Sequence, residues 1–330
     1  MEFAQIAGKS VSRIGLGTWA IGGMEWGAVS DQDAIATVLG ALDRGVNLID
    51  TAPIYGHGRS EELLGQAIRE HGNREAFFLA TKAGLVWDIP NHPGVFTDAT
   101  PTRLRQELDA SLRRLGTDHI DLYQIHWPDP LVPIEETAAL LASFQQEGKV
   151  RALGVSNFSV PQMQAFRSVT PLASNQPPYN LFEREIDKEI LPWCAANNVA
   201  VLTYSSLCRS LLGGRLMRGI AFPEGDIRSF DPKFQEPRFS QYLAAVSQLA
   251  AFAQSNYGKT ILELAARWVL DRPGISVALW GAKRPEQLDA VAGVVGWTLD
   301  EGAMQEIDRI VASQITDPVG PEYLTPSIRK

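Results

Sequence analysis

The feature that most constrains this chain is an alternation. Short apolar runs, too brief for helices, are separated along most of its length by stretches with helical periodicity. The runs cover residues 14–18, 46–49, 77–81, 120–125, 150–155, 172–175, 199–203 and 275–279. Strands that read as unbroken apolar runs are buried on both faces, which is the habit of parallel sheets. Helical patterns fill the gaps: 31–44 with Ser30 as N-cap, one opening at Ser60, 100–115 stopped by Gly116, 134–147 stopped by Gly148, 160–166, 183–197, 260–270 and 285–291. Pro101 just inside a helix start and glycines just past the ends are where helix termini place them. Repeated strand–helix units predict an α/β fold. Eight of them without a break in composition predict a (β/α)8 TIM barrel, residues 1–330 as one domain, in preference to a doubly wound sheet.

Three segments fall outside the repeat. Residues 3–11, with Gly8-Lys9 at the middle, predict an N-terminal β-hairpin ahead of the first barrel strand. The loops 84–99 and 207–237 are long, and loops of this length usually carry function. Both follow strands, which puts them at the C-terminal face of the barrel. An extra helix over 239–256 follows the second loop, and one more helix and a tail begin near residue 300.

Charge and composition exclude several classes. The net charge is −8, and such a surface disfavours nucleic acid and anionic lipid as partners. No apolar run approaches the roughly 20 residues of a membrane span. The opening MEFAQIAGKSVS lacks the basic-then-apolar pattern of a signal peptide, so the chain is expected to be cytoplasmic. Cys194 and Cys208 are the only cysteines, and the five histidines form no HExxH or HxH, so no metal is expected. No heptad or large apolar stripe stands out, which predicts a monomer.

The reactive residues fall at corresponding places. Asp50 closes the second strand, Tyr55 lies in the loop after it, Lys82 closes the third strand and His126 the fourth. A barrel gathers strand C-termini at one mouth, where these four can meet. Each alone has an ordinary structural explanation, but four reactive side chains on consecutive strand ends are a coherent set. A carbonyl accepting hydride needs a proton donor. Tyrosine can donate, a nearby lysine ammonium lowers its pKa, and a buried lysine needs a carboxylate such as Asp50. The histidine can hold the carbonyl oxygen in line.

The motifs Gly15-Leu-Gly-Thr-Trp19, Asp50-Thr-Ala-Pro-Ile-Tyr55-Gly, Ala80-Thr-Lys82, Ile120-Asp-Leu-Tyr-Gln-Ile-His126-Trp-Pro and Gly154-Val-Ser-Asn157-Phe occur in that order. With them the chain resembles the aldo-keto reductase superfamily, from about residue 10 to about 295, and within it the bacterial general reductases acting on small aldehydes, sugars and polyols. The resemblance implies Asp50, Tyr55, Lys82 and His126 as a catalytic tetrad, with Tyr55 as general acid in reduction and general base in oxidation.

It also implies a cofactor map. Gly17, Thr18 and Trp19 lie at the cofactor site. Ser156, Asn157 and Gln176 match positions that hydrogen-bond the nicotinamide amide, and Tyr204 matches the ring on which the nicotinamide stacks. Ser205, Leu207, Arg209, Gly214 and Arg215 match the pyrophosphate stretch. Gly281, Lys283, Arg284 and Gln287 match the adenosine end. Lys283 and Arg284 suit a 2′-phosphate, which favours NADP (NADPH) over NAD. The chain departs from the family pattern at Ala290 and Val291, where Glu-Asn is usual and two adenine contacts should be missing, at Trp280 in place of proline, and at Ser210 in place of glycine.

Trp19, Ile21, Trp26, Trp87 and Trp127 stand at or just after strand ends and predict an aromatic substrate pocket. Such a pocket suits the apolar faces of hydroxyaldehydes such as glyceraldehyde, sugars and polyols. Three other readings compete, one of them a barrel hydrolase or isomerase, which predicts paired carboxylates or metal ligands at strand ends that the sequence does not offer. Gly15-Leu-Gly17-Thr-Trp-Ala20 matches a Rossmann fingerprint, but Gly22, Gly23 and Gly27 disfavour the helix it requires. A low-turnover, cofactor-binding regulatory subunit of the same fold is the third.

Overall fold

The computed structural model describes residues 1–87 and 94–329. The chain opens with a hairpin, β1 (Phe3–Ile6) and β2 (Lys9–Ser12), whose turn residues Ala7 and Gly8 both have positive φ. That backbone matches the right-handed twist of a two-residue hairpin. The strands that follow are β3 (Ile14–Gly17), β4 (Leu48–Asp50), β5 (Phe78–Ala83), β6 (Leu85–Val86), β7 (Phe96–Thr97), β8 (Ile120–Ile125), β9 (Val150–Ser156), β10 (Ser174–Gln176), β11 (Ala200–Thr203), β12 (Ile275–Gly281) and β13 (Ser327–Ile328).

Eight of these strands close a parallel barrel in the order β3-β4-β5-β8-β9-β10-β11-β12. They are the eight expected runs, with ends shifted by one or two residues. Helices cover the barrel, and their local signals explain their limits. Ser30 Oγ accepts the Asp33 N–H at the start of the helix Asp31–Asp43. Thr260 and Glu263 form a reciprocal capping box on the helix Ile261–Asp271. Gly116 takes φ 64° to end the helix Pro101–Leu115. No helix among the described residues is long and apolar enough to cross a membrane.

Two helix expectations are corrected. The 183–197 pattern is a 3-10 turn, Glu185–Asp187, followed by a short helix, Ile190–Ala196. Pro192 has no N–H and fits only the first turn of a helix, which delays the start to Ile190. Asp187 is also held by the Tyr179 hydroxyl at 2.6 Å. The 285–291 pattern likewise splits into a 3-10 turn, Pro285–Leu288, and one helical turn, Val291–Val294.

The core has two layers. Inside the barrel, Leu48, Phe78, Leu122, Leu202, Val277 and Leu279 pack with Ile6 and Val11 of the hairpin. The hairpin therefore closes the N-terminal end of the barrel. A larger cluster lies between strands and helices.

The unexpected element is the tail. After the helix Glu301–Gln314 it returns to the C-terminal face. There β13 pairs in parallel with β7, which is antiparallel to β6. The loop 84–99 thus carries part of a three-stranded sheet; its residues 88–93 lie outside the described residues.

Candidate active site

Every barrel strand delivers a side chain or a backbone turn to the same mouth. Asp50 is the last residue of β4, Lys82 the penultimate residue of β5, and His126 follows β8. Tyr55 is fixed by a close backbone crossing. A Cβ on Gly22 would meet the Tyr55 carbonyl carbon at 2.6 Å, and one on Gly56 (φ 64°) would meet Gly22 O at 2.3 Å. Only glycines permit this approach. Ser60 bridges Thr18 Oγ1 at 2.8 Å and Thr51 Oγ1 at 3.0 Å, which pins the loop from below.

The four expected residues converge. Lys82 Nζ donates to Asp50 Oδ2 at 2.6 Å, to Thr51 O at 3.0 Å and to Tyr55 Oη at 3.3 Å. The other Asp50 oxygen accepts from Gln176 Nε2 at 2.8 Å and Gln124 Nε2 at 3.4 Å. The Tyr55 and His126 rings meet edge to face, centroids 5.8 Å apart. Desolvation governs the ionisation. Burial pushes the Tyr55 phenol well above its ordinary value, and the negative charges of Asp50 and Glu25 add to this. Burial, opposed by Asp50, lowers the Lys82 ammonium. Burial and then Lys82 hold the His126 imidazole well below its usual range, so it is neutral. The direction is opposite to the expected lowering, because loss of water and the charges of Asp50 and Glu25 act together.

Beside this cluster runs a groove lined by Gly17, Thr18, Trp19, Trp26, Tyr204, Ser205, Leu207, Arg209, Gly281, Lys283 and Gln287. The loop after β11 is its most strained part: Ser205, Cys208, Arg209 and Ser210 all have φ between 45° and 71°. Side chains there disfavour left-handed backbone, and such strain collects at ligand sites. Arg209 is buried, with its guanidinium on Asp231 at 2.7 Å, on Ser205 Oγ at 3.0 Å and on Glu183. Its charge is already balanced by two carboxylates.

At the other end, Gln287 Oε1 accepts the Lys283 and Arg284 N–H groups at 2.8 and 3.2 Å, and Trp280 Nε1 donates to Gln287 O. Trp280 thereby anchors this turn. Lys283 Nζ reaches across to Trp26 O at 2.5 Å. Burial lowers the Lys283 pKa, and the neighbouring charges of Arg228 and Arg284 lower it further. Asp226 already accepts from Arg228 at 2.8 and 2.6 Å, so the positive charge left for an anion here lies on Lys283, with exposed Arg284 beside it.

A second cleft adjoins the groove and shares Trp19, Tyr55 and Tyr204 with it. It is lined by Trp19, Glu25, Ile54, Tyr55, Leu85, His126, Trp127, Ser156, Asn157, Gln176, Tyr204 and the tail residues 323–327. Asn157, left-handed at φ 62°, stitches its floor: Nδ2 donates to His126 O at 3.0 Å, and Oδ1 accepts from the Tyr204 hydroxyl at 3.0 Å.

Several expected residues stand elsewhere. Ile21 is buried in the layer between barrel and helices. Trp87 stacks on His57, ring centroids 5.0 Å apart. Gly214, Arg215 and Arg284 are exposed and are not among the residues that line the groove. Conversely, Glu25, Arg228 and the tail border these clefts without having been singled out. Arg228 carries no motif; its loop length was the only signal. The tail is brought in by Tyr323, which donates to Asp231 at 3.2 Å, and by Lys233 Nζ, which donates to Gly320 O at 3.1 Å. Arg329 pairs with Asp98 and Asp129.

Residues 13–312 match the family described as Aldo/keto reductase family. The chain belongs to that family. It is 51% identical to the aldo-keto reductase YhdN of Bacillus subtilis, covering 100% of this chain and 99% of that protein. A solved structure of the glycerol dehydrogenase AKR11B4 from Gluconobacter oxydans is 47% identical, with a TM-score of 0.88, covering 98% of this chain and 99% of that one. The NADH-specific methylglyoxal reductase of Escherichia coli is 36% identical over 84% of this chain and 88% of its own length. As a family member the protein is an oxidoreductase that works on small carbonyl compounds with a nicotinamide cofactor, and the expected barrel class holds.

Proposed function

We propose that this reductase interconverts small hydroxyaldehydes or ketones and the matching alcohols or polyols with NADP(H), using Tyr55 as general acid and base. The observation that carries the reading is the chain of contacts from Tyr55 Oη to Lys82 Nζ at 3.3 Å and on to Asp50 Oδ2 at 2.6 Å. A bound nicotinamide dinucleotide supplies the two-electron chemistry, as hydride given to or taken from the substrate carbon. The chain supplies the proton. Burial keeps Tyr55 a neutral phenol, ready to donate to a carbonyl oxygen. The Lys82 ammonium, already hydrogen-bonded to that oxygen, stabilises the phenolate left behind. Asp50 keeps Lys82 charged. In oxidation the phenolate takes the hydroxyl proton instead. Neutral His126, at the edge of Tyr55, orients the substrate oxygen.

Gly17, Thr18, Trp19 and Tyr204 would hold the nicotinamide half of the cofactor in the groove. The left-handed residues Ser205, Cys208, Arg209 and Ser210 fold the backbone along the groove, where a pyrophosphate would lie. Lys283, which lines the groove, would meet a 2′-phosphate, with exposed Arg284 beside it; Arg228 is already paired with Asp226. A relative named as NADH-specific makes this the point to test. The names of the glycerol dehydrogenase and the methylglyoxal reductase support a small substrate.

The deciding experiment measures oxidation of NADPH and of NADH with glyceraldehyde, and the reverse reaction with glycerol, on the parent and on Tyr55→Phe. The parent should turn over and prefer NADPH. Tyr55→Phe should lose about 10²–10⁴-fold in kcat, the range for a missing general acid, while still binding cofactor. A Tyr55→Phe rate near the parent level would refute the tyrosine assignment. Cofactor binding without turnover in the parent would return the chain to the regulatory-subunit reading.

A further inference from the structure

The wall of the substrate-side cleft carries an ionisable group that the proton-transfer scheme does not use. Glu25 lies in the short turn Met24–Trp26 after β3, and its carboxylate borders the cleft beside Trp19, Ile54 and Tyr55. Its Oε2 accepts from Trp19 Nε1 at 2.8 Å. The Trp19 ring in turn stacks near Tyr55, centroids 6.1 Å apart. Glu25 is therefore anchored at a set position relative to the proton donor.

Among the described residues, the Trp19 indole is the side-chain donor that reaches the Glu25 carboxylate, and His57 is the group whose positive charge acts on it. Among the described residues lining this cleft, Glu25 is the only carboxylate and none is a lysine or arginine. The Tyr204 and Tyr323 hydroxyls are committed to Asn157 and Asp231. His126 contributes a neutral ring. Desolvation is the main influence on the Glu25 carboxyl and raises its pKa; the Trp19 bond and then the nearby His57 oppose this without reversing it. An ionised carboxyl accepts at about four lone-pair sites, and among the described residues one indole N–H donates to it. A partly desolvated carboxylate is stabilised by a ligand that brings donors and destabilised by one that brings negative charge.

We propose that Glu25 is a specificity-determining residue. Its carboxylate accepts hydrogen bonds from hydroxyls next to the reacting carbon, and it repels substrates that carry a carboxylate or phosphate. The inference rests on the function proposed above and narrows its substrate class to neutral polyhydroxyl compounds.

The test compares three aldehydes, propanal, glyceraldehyde and succinic semialdehyde, on the parent, Glu25→Gln and Glu25→Leu. The quantity read is the ratio of kcat/KM values within each preparation, in which folded fraction and overall rate cancel. A hydrogen bond to a charged group corresponds to about tenfold to a hundredfold. Glu25→Leu should therefore lower the glyceraldehyde-to-propanal ratio by at least about tenfold. Glu25→Gln, which retains an acceptor for Trp19 and for a hydroxyl, should keep part of that ratio. Both variants should raise the succinic semialdehyde-to-propanal ratio by about tenfold, since both remove the charge. Parent-like ratios in both variants overturn the proposal. So does a loss on all three aldehydes by a common factor, because Glu25 would then only support Trp19. If Glu25→Leu does not fold, the succinic semialdehyde ratio of Glu25→Gln decides alone. Failure of the functional reading looks different: the parent itself would reduce none of the three.

Discussion

Lys82 is fully buried, and an ammonium in that position persists only with its protons matched. Asp50, Thr51 O and Tyr55 Oη provide three acceptors for three donors. The choice of residues was legible, because a lysine and an aspartate closing neighbouring apolar strands have few other reasons to be there. The ionisation of Tyr55 was not, since desolvation depends on what packs around it. Glu107 makes the same point and can be tested. It is buried beneath the end of β5, accepts the Gly84 N–H at 2.7 Å, and pairs with Arg103 at 2.9 Å. Burial nevertheless pushes its pKa up to about 7, the largest influence, against the opposing pull of Arg103. A carboxyl whose folded pKa is raised binds its proton more tightly in the native state. Its stabilisation is complete below about pH 4.5 and is lost as the pH rises to about 7. Between those values parent stability should fall by a few kcal/mol relative to Glu107→Gln. Urea denaturation of both proteins across that range checks this; parallel pH curves would refute it.

At the scale of elements, the local signals worked where the partner is near in sequence. Ser30, Thr260, Gly116 and Pro101 mark helix ends by capping chemistry that needs no tertiary contact. They failed for 183–197, where Glu183 turns inward. Glu183 and Asp231 together balance Arg209 and Lys233, all buried. Asp231 joins two functional elements, since it holds Arg209 beside the cofactor groove and Tyr323 of the tail beside the substrate cleft. Asp231→Asn leaves a buried positive charge unbalanced. It should cost about 3–5 kcal/mol of stability and raise KM for both cofactor and aldehyde. Denaturation and steady-state kinetics measure the two effects. Lost stability with both KM values unchanged would mean that the network shapes neither site.

Across the whole molecule, the two ends of the barrel have different work. The C-terminal face carries every residue assigned here to chemistry, while the hairpin closes the opposite end with Ile6 and Val11. A (β/α)8 barrel separates activity from stability along its axis in this way. Ile6→Ala should therefore cost about 2–5 kcal/mol and leave kcat/KM per folded molecule close to the parent. Thermal melting and active-site-normalised kinetics test this, and a matching fall in kcat/KM would contradict the division. The eight strands, the order of the repeat and the placement of Asp50, Lys82 and His126 follow from periodicity and strand ends alone, because those patterns are carried by neighbouring residues. Folding was needed to bring two-residue β13 onto two-residue β7 from the far end of the chain, to set Glu25 and Arg228 at the clefts, and to raise rather than lower the Tyr55 pKa. Pairings between distant segments and the removal of water leave no trace in any stretch of sequence, since they exist only once the chain has closed on itself.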